Sequence, residues 1–473
     1  MIRALKERAM CLTGLSACAR APLPMLQLKW DTRIRSPALC ASKPGRPAAA
    51  RSMTLKKWRS KRGNQKMRRQ ILLSSWPILF ILSLAAGSSQ LTLTLSPSAK
   101  VSDMAAPVEI ISGASVKSGE VLQAVASGAS DQSFLLQDAP ALFQSSDGVE
   151  LKRGLCALLP SGVAPGPRQL KTFKPTGALF KFALLEGGRL QLLDGDRPVF
   201  VYNYGMQLPP GAPEDRRRST YIHPLYDLDG RILTDDFPAD HYHHRGLSWM
   251  WPRVTVAGQQ VDLWHIRGIR HSFERWLAQE VGPVCATLGA KNAWIMGERK
   301  VMDEWVWVRV FPASKQGRAI DLRLTWRALE PIQILGQVDS GYGGLALRLT
   351  GRKETRLVTS TGPQTKDSDL QPMAWADESG KFGGHNEHSG VAIFQHPGNP
   401  NFPAGWTLRR ADNYGFLGVA WPGLTPVVLE PNQTITLRYR LWVHRGDAQV
   451  GRVADAFAAF SEPPSLRLER AKE

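Results

Sequence analysis

A period-two alternation of hydrophobic and polar residues dominates the chain after residue 175. One such face would carry Ile320, Leu322, Leu324 and Trp326. Residues 435–443 alternate in the same way, and the run 305–311 consists mostly of Trp and Val, which favour strands. Successive side chains of a strand point to opposite faces, so these stretches predict sheets with one face in the core. The clearest helical spacing is at 447–460. We therefore predict an all-β fold in which residues 175–462 form a large antiparallel β-sandwich with a C-terminal helix.

The segment before the sandwich has a different pattern. Between 107 and 174, short apolar runs are separated by Gly, Ser and Asp at intervals of roughly ten residues, which predicts a small N-terminal β-domain. The segment contains no histidine, because all ten histidines of the chain lie at or after His223. We therefore expect this domain to pack or dock and the sandwich to carry the chemistry.

The charge of the chain is concentrated before the predicted domains. The formal net charge is +19 at pH 7, and residues 1–69 hold 18 of the 60 Lys and Arg residues but two of the 41 acidic residues. The remainder is nearly neutral, which gives no electrostatic argument for nucleic-acid binding. Since residues 1–66 lack apolar periodicity, we interpret them as a leader that results from a misplaced start codon, with Met67 as the true start. A basic tail is the alternative.

Residues 67–106 have the features of an export signal followed by a linker. A charged start at 66–69 precedes an apolar run from Trp76 to Ala86, and small residues follow. This order is typical of a secretory signal peptide. The run is short for a membrane span. We predict export to the periplasm or cell surface, with membrane contact only through an uncleaved leader.

Two cysteines, Cys156 and Cys285, belong to the predicted domains, and the other three lie in residues 1–66. Two cysteines leave one possible disulfide, and their separation does not match a metal-binding spacing. We predict that both are buried thiols.

The candidate chemistry is concentrated in the seventeen residues 235–251. This stretch holds three aspartates, three histidines, one arginine and two tryptophans. We predict that residues 242–251 form a strand. The residues on one face of this strand would be His241, His243, Arg245, Trp249 and Trp251. Aromatic plates beside polar donors suit a sugar ring, whose C–H face stacks while its hydroxyls form hydrogen bonds.

Carboxylates next to imidazoles support proton transfer near neutral pH, because a carboxylate raises imidazole basicity and selects its tautomer. Burying so many polar groups is costly unless they are paired or used, which favours a functional site over a purely structural one. The predicted acid or base is a histidine oriented by an aspartate, and the candidates are His243, His244, Asp236 and Asp240. The predicted substrate-binding residues are His223, His241, Arg245, Trp249, Tyr342, Lys381 and His396. The histidines expected to be structural are His265, His271 and His444.

Metal binding is an alternative use of the same stretch. His241 and His243 could both ligate from one face of a strand. An oxygen ligand could come from Asp240 or Asp236. The common zinc hydrolase motif His-Glu-x-x-His is absent from the sequence. The cofactor therefore stays open between none and a divalent metal, and no metal ligand is assigned.

Seven short blocks between 177 and 460 carry a resemblance to a known family. The blocks are Tyr221–Tyr226, Asp235–His241, His243–Leu247, Gly341–Leu345, Lys381–Gly384, His396–Asn399 and Tyr414–Trp421. They resemble a bacterial family labelled PmoA, or methane oxygenase, which is often treated as a domain of unknown function. Ser248 departs from this family, which usually has an aromatic residue there. The family is more distantly similar to galactose-mutarotase-like sugar enzymes, so the resemblance implies a supersandwich fold and carbohydrate chemistry.

These observations predict an exported carbohydrate-active enzyme with a small-molecule or oligosaccharide substrate. Histidine and aspartate would supply acid–base chemistry for hydrolysis, β-elimination or epimerisation, which the sequence does not separate. Arg245 would bind an anionic or carbonyl oxygen, and Trp249 would stack on the sugar. Two alternatives stay open: a metal-dependent oxygenase, which the PmoA label implies, and a non-catalytic carbohydrate-binding protein. Membrane methane oxidation would require many spanning helices, whereas this chain has at most one apolar leader.

Overall fold

The alternating segments form strands in the computed structural model. It describes residues 91–96, 104–111, 116, 119–126, 129–145, 148–177 and 179–470, all of which lie in one unit of the chain, Leu84–Glu473. The predictions for residues 1–66 and for the signal peptide fall outside the described residues. Within these residues, no helix has the length and apolar character needed to cross a membrane.

Strands account for nearly all of the regular structure. The first strands are β1 Leu91–Leu95, β2 Ala106–Ile110, β3 Val121–Ala126, β4 Ala129–Pro140, β5 Arg153–Leu159 and β6 Gly166–Phe173. The next are β7 Phe180–Leu185, β8 Arg189–Asp194, β9 Arg197–Asn203, β10 Tyr221–Leu225, β11 Leu247–Met250, β12 Arg253–Val256, β13 Gln259–Val261, β14 Arg270–Val281, β15 Ala286–Met296, β16 Arg299–Val310, β17 Gly317–Ala328 and β18 Ile332–Leu335. The last are β19 Gly344–Leu349, β20 Arg352–Thr359, β21 Gly362–Gln364, β22 Ser368–Pro372, β23 Trp375–Phe382, β24 Ser389–Gln395, β25 Gly405–Ala411, β26 Tyr414–Ala420, β27 Val427–Leu429, β28 Thr434–Arg445 and β29 Leu466–Arg470. A 3₁₀ turn covers Glu214–Arg216, and helix α1 covers Val453–Ser461.

Seven strands form the N-terminal sheet, in the antiparallel order β2-β5-β4-β3-β6-β1-β29. Strand β1 lies in the stretch that we predicted as a linker. Its Leu91, Leu93 and Leu95 alternate with threonines, and Leu93 is fully buried in the sheet's apolar cluster. The sheet takes its last strand, β29, from beyond residue 462, so the two ends of the described chain pair with each other.

Two nine-stranded sheets form the sandwich. The front sheet has the order β22-β25-β26-β19-β11-β10-β9-β8-β7, and the back sheet has the order β14-β15-β16-β17-β28-β24-β23-β20-β21. A further four-stranded sheet has the order β13-β12-β18-β27. Neighbouring strands pair antiparallel throughout, and one hydrophobic core contains buried side chains of both large sheets, such as Leu347 of β19 and Leu324 of β17. The predicted all-β antiparallel sandwich is therefore confirmed.

Tryptophans join the two large sheets within this core. The ring centroid of Trp251, which follows β11, lies 5.6 Å from that of Trp294 and 5.2 Å from that of Trp326. The indole N–H groups of Trp294 and Trp326 both donate to Oε2 of Glu304, at 3.0 and 2.8 Å. A buried carboxylate needs such partners. Glu304 therefore fixes the tryptophans that support the segment after β11.

The C-terminal helix begins later than predicted. It spans Val453–Ser461, whereas the helical spacing began at residue 447. The Asp447 carboxylate accepts hydrogen bonds from two following backbone N–H groups at 3.1 and 3.0 Å, and Arg452 has a φ of 52°. These features make a turn before the helix. Phe460 then packs in the apolar cluster that the helix shares with the N-terminal and back sheets.

Candidate functional site

The histidine-rich stretch forms a turn, and the prediction of a strand over 242–251 is wrong before Leu247. The backbone N–H of His241 donates to the carbonyl of Pro238 at 2.9 Å, and that of His244 donates to the carbonyl of His241 at 2.8 Å. These short-range bonds replace the ladder bonds of a strand. At Gly246 the chain passes β10 so closely that a β-carbon would overlap a backbone oxygen of that strand.

The turn projects three imidazoles into one cleft on the sandwich, with a volume of about 290 Å³. The cleft is lined by His241, His243, His244, Pro252, Trp264, His265, Gln337, Tyr342 and Tyr414. Ring centroids are 4.6 Å apart for His243 and His244 and 4.4 Å apart for His243 and His265. The predicted residues His241, His243, His244 and Tyr342 are therefore brought together, whereas Trp264, Gln337 and Pro252 were not foreseen.

His265 also lines the cleft, although we expected it to be structural. Its Nδ1 lies 2.8 Å from Oδ2 of Asp262, and its backbone N–H donates to Oδ1 of the same carboxylate at 2.8 Å. Burial raises the pKa of Asp262, but the side-chain and backbone hydrogen bonds of His265 outweigh burial, so the pKa is lowered. The carboxylate is therefore ionised at neutral pH and fixes the orientation of the His265 ring.

His241 has a similar partner at the other side of the imidazole cluster. Its Nδ1 lies 2.9 Å from Oδ2 of Asp240. Burial raises the pKa of Asp240, but the interactions with His241 and the charge of Arg348 together outweigh burial, so the pKa is lowered. The cleft thus has two imidazoles that each face an ionised carboxylate.

His243 and His244 lie between these two imidazoles and are held in a different electrostatic state. Burial, together with the neighbouring His265 and His241, lowers the pKa of His243 to about 3. Burial and the neighbouring His243 also lower the pKa of His244 well below its usual value. Nδ1 of His244 is buried without a hydrogen-bond partner. Both rings are therefore neutral at neutral pH and suit hydrogen bonding better than proton uptake.

Two tyrosines and a tryptophan form the aromatic part of the wall. The hydroxyl oxygens of Tyr342 and Tyr414 lie 3.3 Å apart, and the Tyr414 ring stacks on His241 with centroids 5.3 Å apart. Burial, followed by the hydrogen bond with Tyr342, raises the pKa of Tyr414, so its hydroxyl stays protonated and can donate. Trp264 lies edge-on to His244 at 5.8 Å.

Asp236 and Arg245, which we predicted as catalytic and substrate-binding residues, form a buried pair that does not line the cleft. Asp236 accepts a hydrogen bond from the hydroxyl of Tyr221 at 2.9 Å, and its Oδ1 lies 3.7 Å from Nε of Arg245. The Arg245 guanidinium donates to three backbone carbonyls at 2.6 to 2.7 Å and stacks on Phe237. These contacts use the guanidinium to fix the turn, so it is not free to bind a substrate oxygen.

The other predicted substrate-binding residues also lie outside the cleft. Trp249 is 1% exposed in the core, so it cannot stack on a ligand there. His223 is half-buried, with its Nδ1 3.0 Å from Oγ1 of Thr234. Lys381 forms an ion pair with Glu354. His396 packs between Phe143 and Phe460 in a separate cavity.

The metal alternative is not supported by the arrangement of donor groups. Among the described residues, no group of three or more His, Cys, Asp or Glu side chains is placed to hold a metal ion.

Comparisons with known proteins give a family and distant structural similarities. No curated protein matches the chain. A heparan sulfate lyase, HepC from Pedobacter heparinus, is 12% identical with a TM-score of 0.29, and the match covers 59% of this chain and 38% of the lyase. An α-mannosidase from Enterococcus faecalis V583 is 11% identical with a TM-score of 0.36, and the match covers 81% of this chain and 46% of the mannosidase.

A third structure, galactose 1-epimerase from Lactobacillus acidophilus NCFM, is 8% identical with a TM-score of 0.26, and the match covers 66% of this chain and 99% of the epimerase. This chain thus spans less than half of the lyase and of the mannosidase. The resemblance to the PmoA family stays a prediction. A family model matches residues 189–458, which are more than half of the sequence. The chain therefore belongs to DUF6807, a family of unknown function.

Proposed function

We propose that this protein is an exported carbohydrate-active enzyme that transfers protons with carboxylate-paired imidazoles. The observation that carries the proposal is that two imidazoles lining one cleft, those of His241 and His265, each have a carboxylate partner behind them. The nitrogen–oxygen distances are 2.9 Å for His241–Asp240 and 2.8 Å for His265–Asp262. A carboxylate on one ring nitrogen fixes the tautomer and stabilises the imidazolium that forms when the other nitrogen takes a proton. One imidazole can thus act as base while the other acts as acid.

The roles of the central histidines follow from their electrostatics. His243 and His244 are poor proton acceptors at neutral pH because burial lowers both pKa values. As neutral rings they can still accept or donate hydrogen bonds to substrate hydroxyls. We therefore assign proton transfer to His241 and His265, and substrate orientation to His243 and His244.

The size and walls of the cleft fit a sugar ring. Its volume of about 290 Å³ is near the lower end of small-molecule sites, which hold roughly 300–1,000 Å³. The rings of Trp264, Tyr342 and Tyr414 offer apolar contact, while the tyrosine hydroxyls and the Gln337 amide offer hydrogen bonds. A single ring-sized group therefore fits better than a long oligosaccharide.

The lining residues favour proton transfer at carbon over glycoside hydrolysis by two carboxylates. The latter mechanism needs an Asp or Glu pair that flanks the bond, and none of the described residues that line the cleft is an Asp or Glu. β-Elimination and epimerisation both need a base that removes a proton from carbon and a donor for the oxygen that gains charge. The protonated Tyr414 hydroxyl and the second imidazole are available as donors.

The test is incubation of the purified protein with a panel of glycosides, uronic-acid glycosides and 3-keto-glycosides in heavy water, with products read by mass spectrometry. Elimination gives an unsaturated product that has lost its leaving group, and epimerisation gives deuterium on carbon without a change of composition. We expect turnover with one substrate class, lost in His241→Gln and His265→Gln. The matched control is His385→Gln, which changes an exposed histidine on the loop after β23.

Other outcomes would favour the alternatives. Affinity for a sugar without product formation would show a non-catalytic carbohydrate-binding protein. The PmoA resemblance implies a metal-dependent oxygenase, although no group of three or more donor side chains among the described residues is placed to hold a metal ion. Stoichiometric iron or copper in the purified protein, together with turnover that depends on it, would replace our proposal with that function.

Export is the part of the proposal that rests on sequence alone. It is supported by the order of charged, apolar and small residues in 67–88. Cell fractionation and N-terminal sequencing after expression with the native leader test it. Full-length protein retained in the cytoplasm would contradict export without affecting the assigned site.

A further inference from the structure

The two cysteines of the described chain meet where the N-terminal sheet contacts the sandwich. Cys156 lies on β5 of the N-terminal sheet, and Cys285 immediately precedes β15 of the back sheet. Their Sγ atoms are 3.1 Å apart although the residues are 129 positions apart in sequence. Both side chains are buried, and both belong to one apolar cluster that also contains residues of α1.

A buried glutamine holds the two cysteine-bearing segments against each other. Gln137 lies directly opposite Cys156 in the β4–β5 pairing. Its side-chain amide donates to the carbonyl of Cys285 at 3.1 Å and accepts from the backbone N–H groups of Val284 and Cys285 at 3.0 and 3.1 Å. Gly282 makes room for this contact, because a β-carbon there would overlap the amide. The short sulfur–sulfur distance is therefore set by three hydrogen bonds and by backbone packing.

The surroundings make the two sulfurs unequal. Burial raises the pKa of the Cys285 thiol, but the hydrogen bond with Cys156 and the charge of Arg309 outweigh burial, so the pKa is lowered. The same hydrogen bond and burial raise the pKa of Cys156. Arg309 is itself held by Glu109 of β2 at 2.6 Å. In the docked chain, Cys285 is thus the sulfur that more readily becomes a thiolate, the form that attacks a disulfide.

We propose that Cys156 and Cys285 form an intramolecular disulfide that covalently joins the N-terminal sheet to the sandwich when the chain folds in contact with a disulfide oxidant. The thiolate of one of the two cysteines attacks the oxidant's disulfide, forms a mixed disulfide and releases one thiolate. The other cysteine then attacks the protein sulfur of the mixed disulfide, the new sulfur–sulfur bond forms and the second thiolate leaves. The two cysteine protons pass to the released thiolates, so two cysteines are oxidised while one oxidant disulfide is reduced to two thiols.

Geometry also sets when the bond can form. In the folded chain both sulfurs are buried, so the oxidant reacts with the first cysteine before the two sheets have docked. After docking, closing the bond requires the sulfurs to approach by about 1 Å, since a disulfide is about 2.05 Å long. The cross-link closes a long loop and is expected to stabilise the folded chain chiefly by restricting the unfolded one. This inference is independent of the catalytic proposal.

Peptide mapping tests the cross-link directly. The full chain is unfolded and reduced, then refolded either with oxidised and reduced glutathione or with dithiothreitol, and free thiols are alkylated in denaturant before digestion without reductant. We expect a linked peptide pair that contains Cys156 and Cys285 after oxidising refolding, and alkylated peptides after reducing refolding. Recovery of both cysteines as alkylated thiols after oxidising refolding would overturn the proposal, as would pairing of either one with a leader cysteine.

Thermal unfolding supplies a second readout and its controls. The oxidised chain should unfold at a temperature higher than the reduced chain by on the order of 5 °C. This redox-dependent difference should vanish in Cys156→Ser and Cys285→Ser, even where the substitution itself changes stability. It should persist in the matched variant Cys11→Ser/Cys18→Ser/Cys40→Ser, which keeps the pair. If the difference in unfolding temperature between oxidised and reduced chains persists in Cys156→Ser or Cys285→Ser, a Cys156–Cys285 disulfide is not its cause and the proposal is rejected.

Discussion

The buried carboxyl of Asp236, in the turn beside the cleft, allows a quantitative test of its raised pKa and of the stability that depends on it. Its side chain is 14% exposed, and its partners are the Tyr221 hydroxyl and the Arg245 guanidinium. Burial raises the pKa of this carboxyl to about 7, although the charge of Arg245 and the hydrogen bond from Tyr221 oppose the rise. The ionised form of Asp236 is therefore disfavoured in the folded protein. Asp236→Asn replaces it with a neutral side chain that can still accept from Tyr221.

The magnitude follows from the displacement of the pKa of Asp236. A rise from 3.8 to about 7 corresponds to roughly 4 kcal/mol, at about 1.4 kcal/mol per pH unit. Between these pH values the folded protein binds more protons at this group than the unfolded chain does. The free energy of unfolding gained from Asp236 is therefore fully present below pH 4 and is lost as the pH rises to 7. The Asp236→Asn variant lacks this loss.

Urea unfolding at pH 4, 5, 6, 7 and 8, followed by tryptophan fluorescence, measures the effect without adding ionic strength. We compare the unfolding free energy of Asp236→Asn with that of the unchanged protein at each pH. The difference, variant minus unchanged protein, should rise by roughly 4 kcal/mol from pH 4 to pH 8. Any pH-independent cost of the substitution cancels in this comparison. Asp196→Asn, at an exposed turn between β8 and β9, controls for the loss of one carboxylate. If the difference in unfolding free energy between the variant and the unchanged protein stays constant with pH, the pKa of Asp236 is not raised in the folded protein and the reasoning is refuted.

Three further outcomes follow from the cleft and the core. Asp262→Asn should lower kcat by about 10²-fold or more with little change in KM, because the His265 ring loses the carboxylate that stabilises its protonated form. Glu304→Leu should lower the free energy of unfolding by at least about 3 kcal/mol, since Trp294 and Trp326 keep buried N–H groups without an acceptor. Dialysis against a chelator should leave turnover unchanged.

A specific result would contradict each of these three predictions. An unchanged kcat, with an unchanged dependence of kcat on pH, in Asp262→Asn would show that proton transfer does not depend on this carboxylate. Unchanged urea midpoints in Glu304→Leu would show that the indole N–H groups find other partners. Activity that is lost on chelation and restored by one added metal would favour the oxygenase alternative.

The period of the hydrophobic pattern was sufficient to predict the sandwich, because the buried face of a strand shows in the sequence as apolar residues at every second position. Residues 320–326 alternate in sequence, and their apolar members are buried in the core. Strand β1 was missed although Leu91–Leu95 alternates as well. It pairs with β29 at the other end of the described chain, and a pairing across so long a separation leaves no signal in either segment alone. Such pairings are visible only in three dimensions.

His265 shows why the site was only partly predictable. Its partner Asp262 is three residues earlier, and the carboxylate accepts from both the ring and the backbone N–H of His265. An aspartate followed at this spacing by a histidine is a local turn signal that could have been used. That this turn faces His243 across the cleft depends on how β13 and the loop before β14 pack against the front sheet. No local pattern gives that placement.

The error at residues 242–246 is the one that changes the chemistry. A strand would have sent His243 and His244 to opposite faces, and only one of them could have reached a shared pocket. The turn begun by the Pro238–His241 hydrogen bond instead brings His241, His243 and His244 to the same cleft. The Arg245 guanidinium then stabilises the turn by donating hydrogen bonds to the carbonyl oxygens of Tyr242 and His244. Arg245, which we expected to bind substrate, thus holds the turn that brings three imidazoles to the cleft. Disrupting its backbone contacts should therefore disorder all three imidazoles at once.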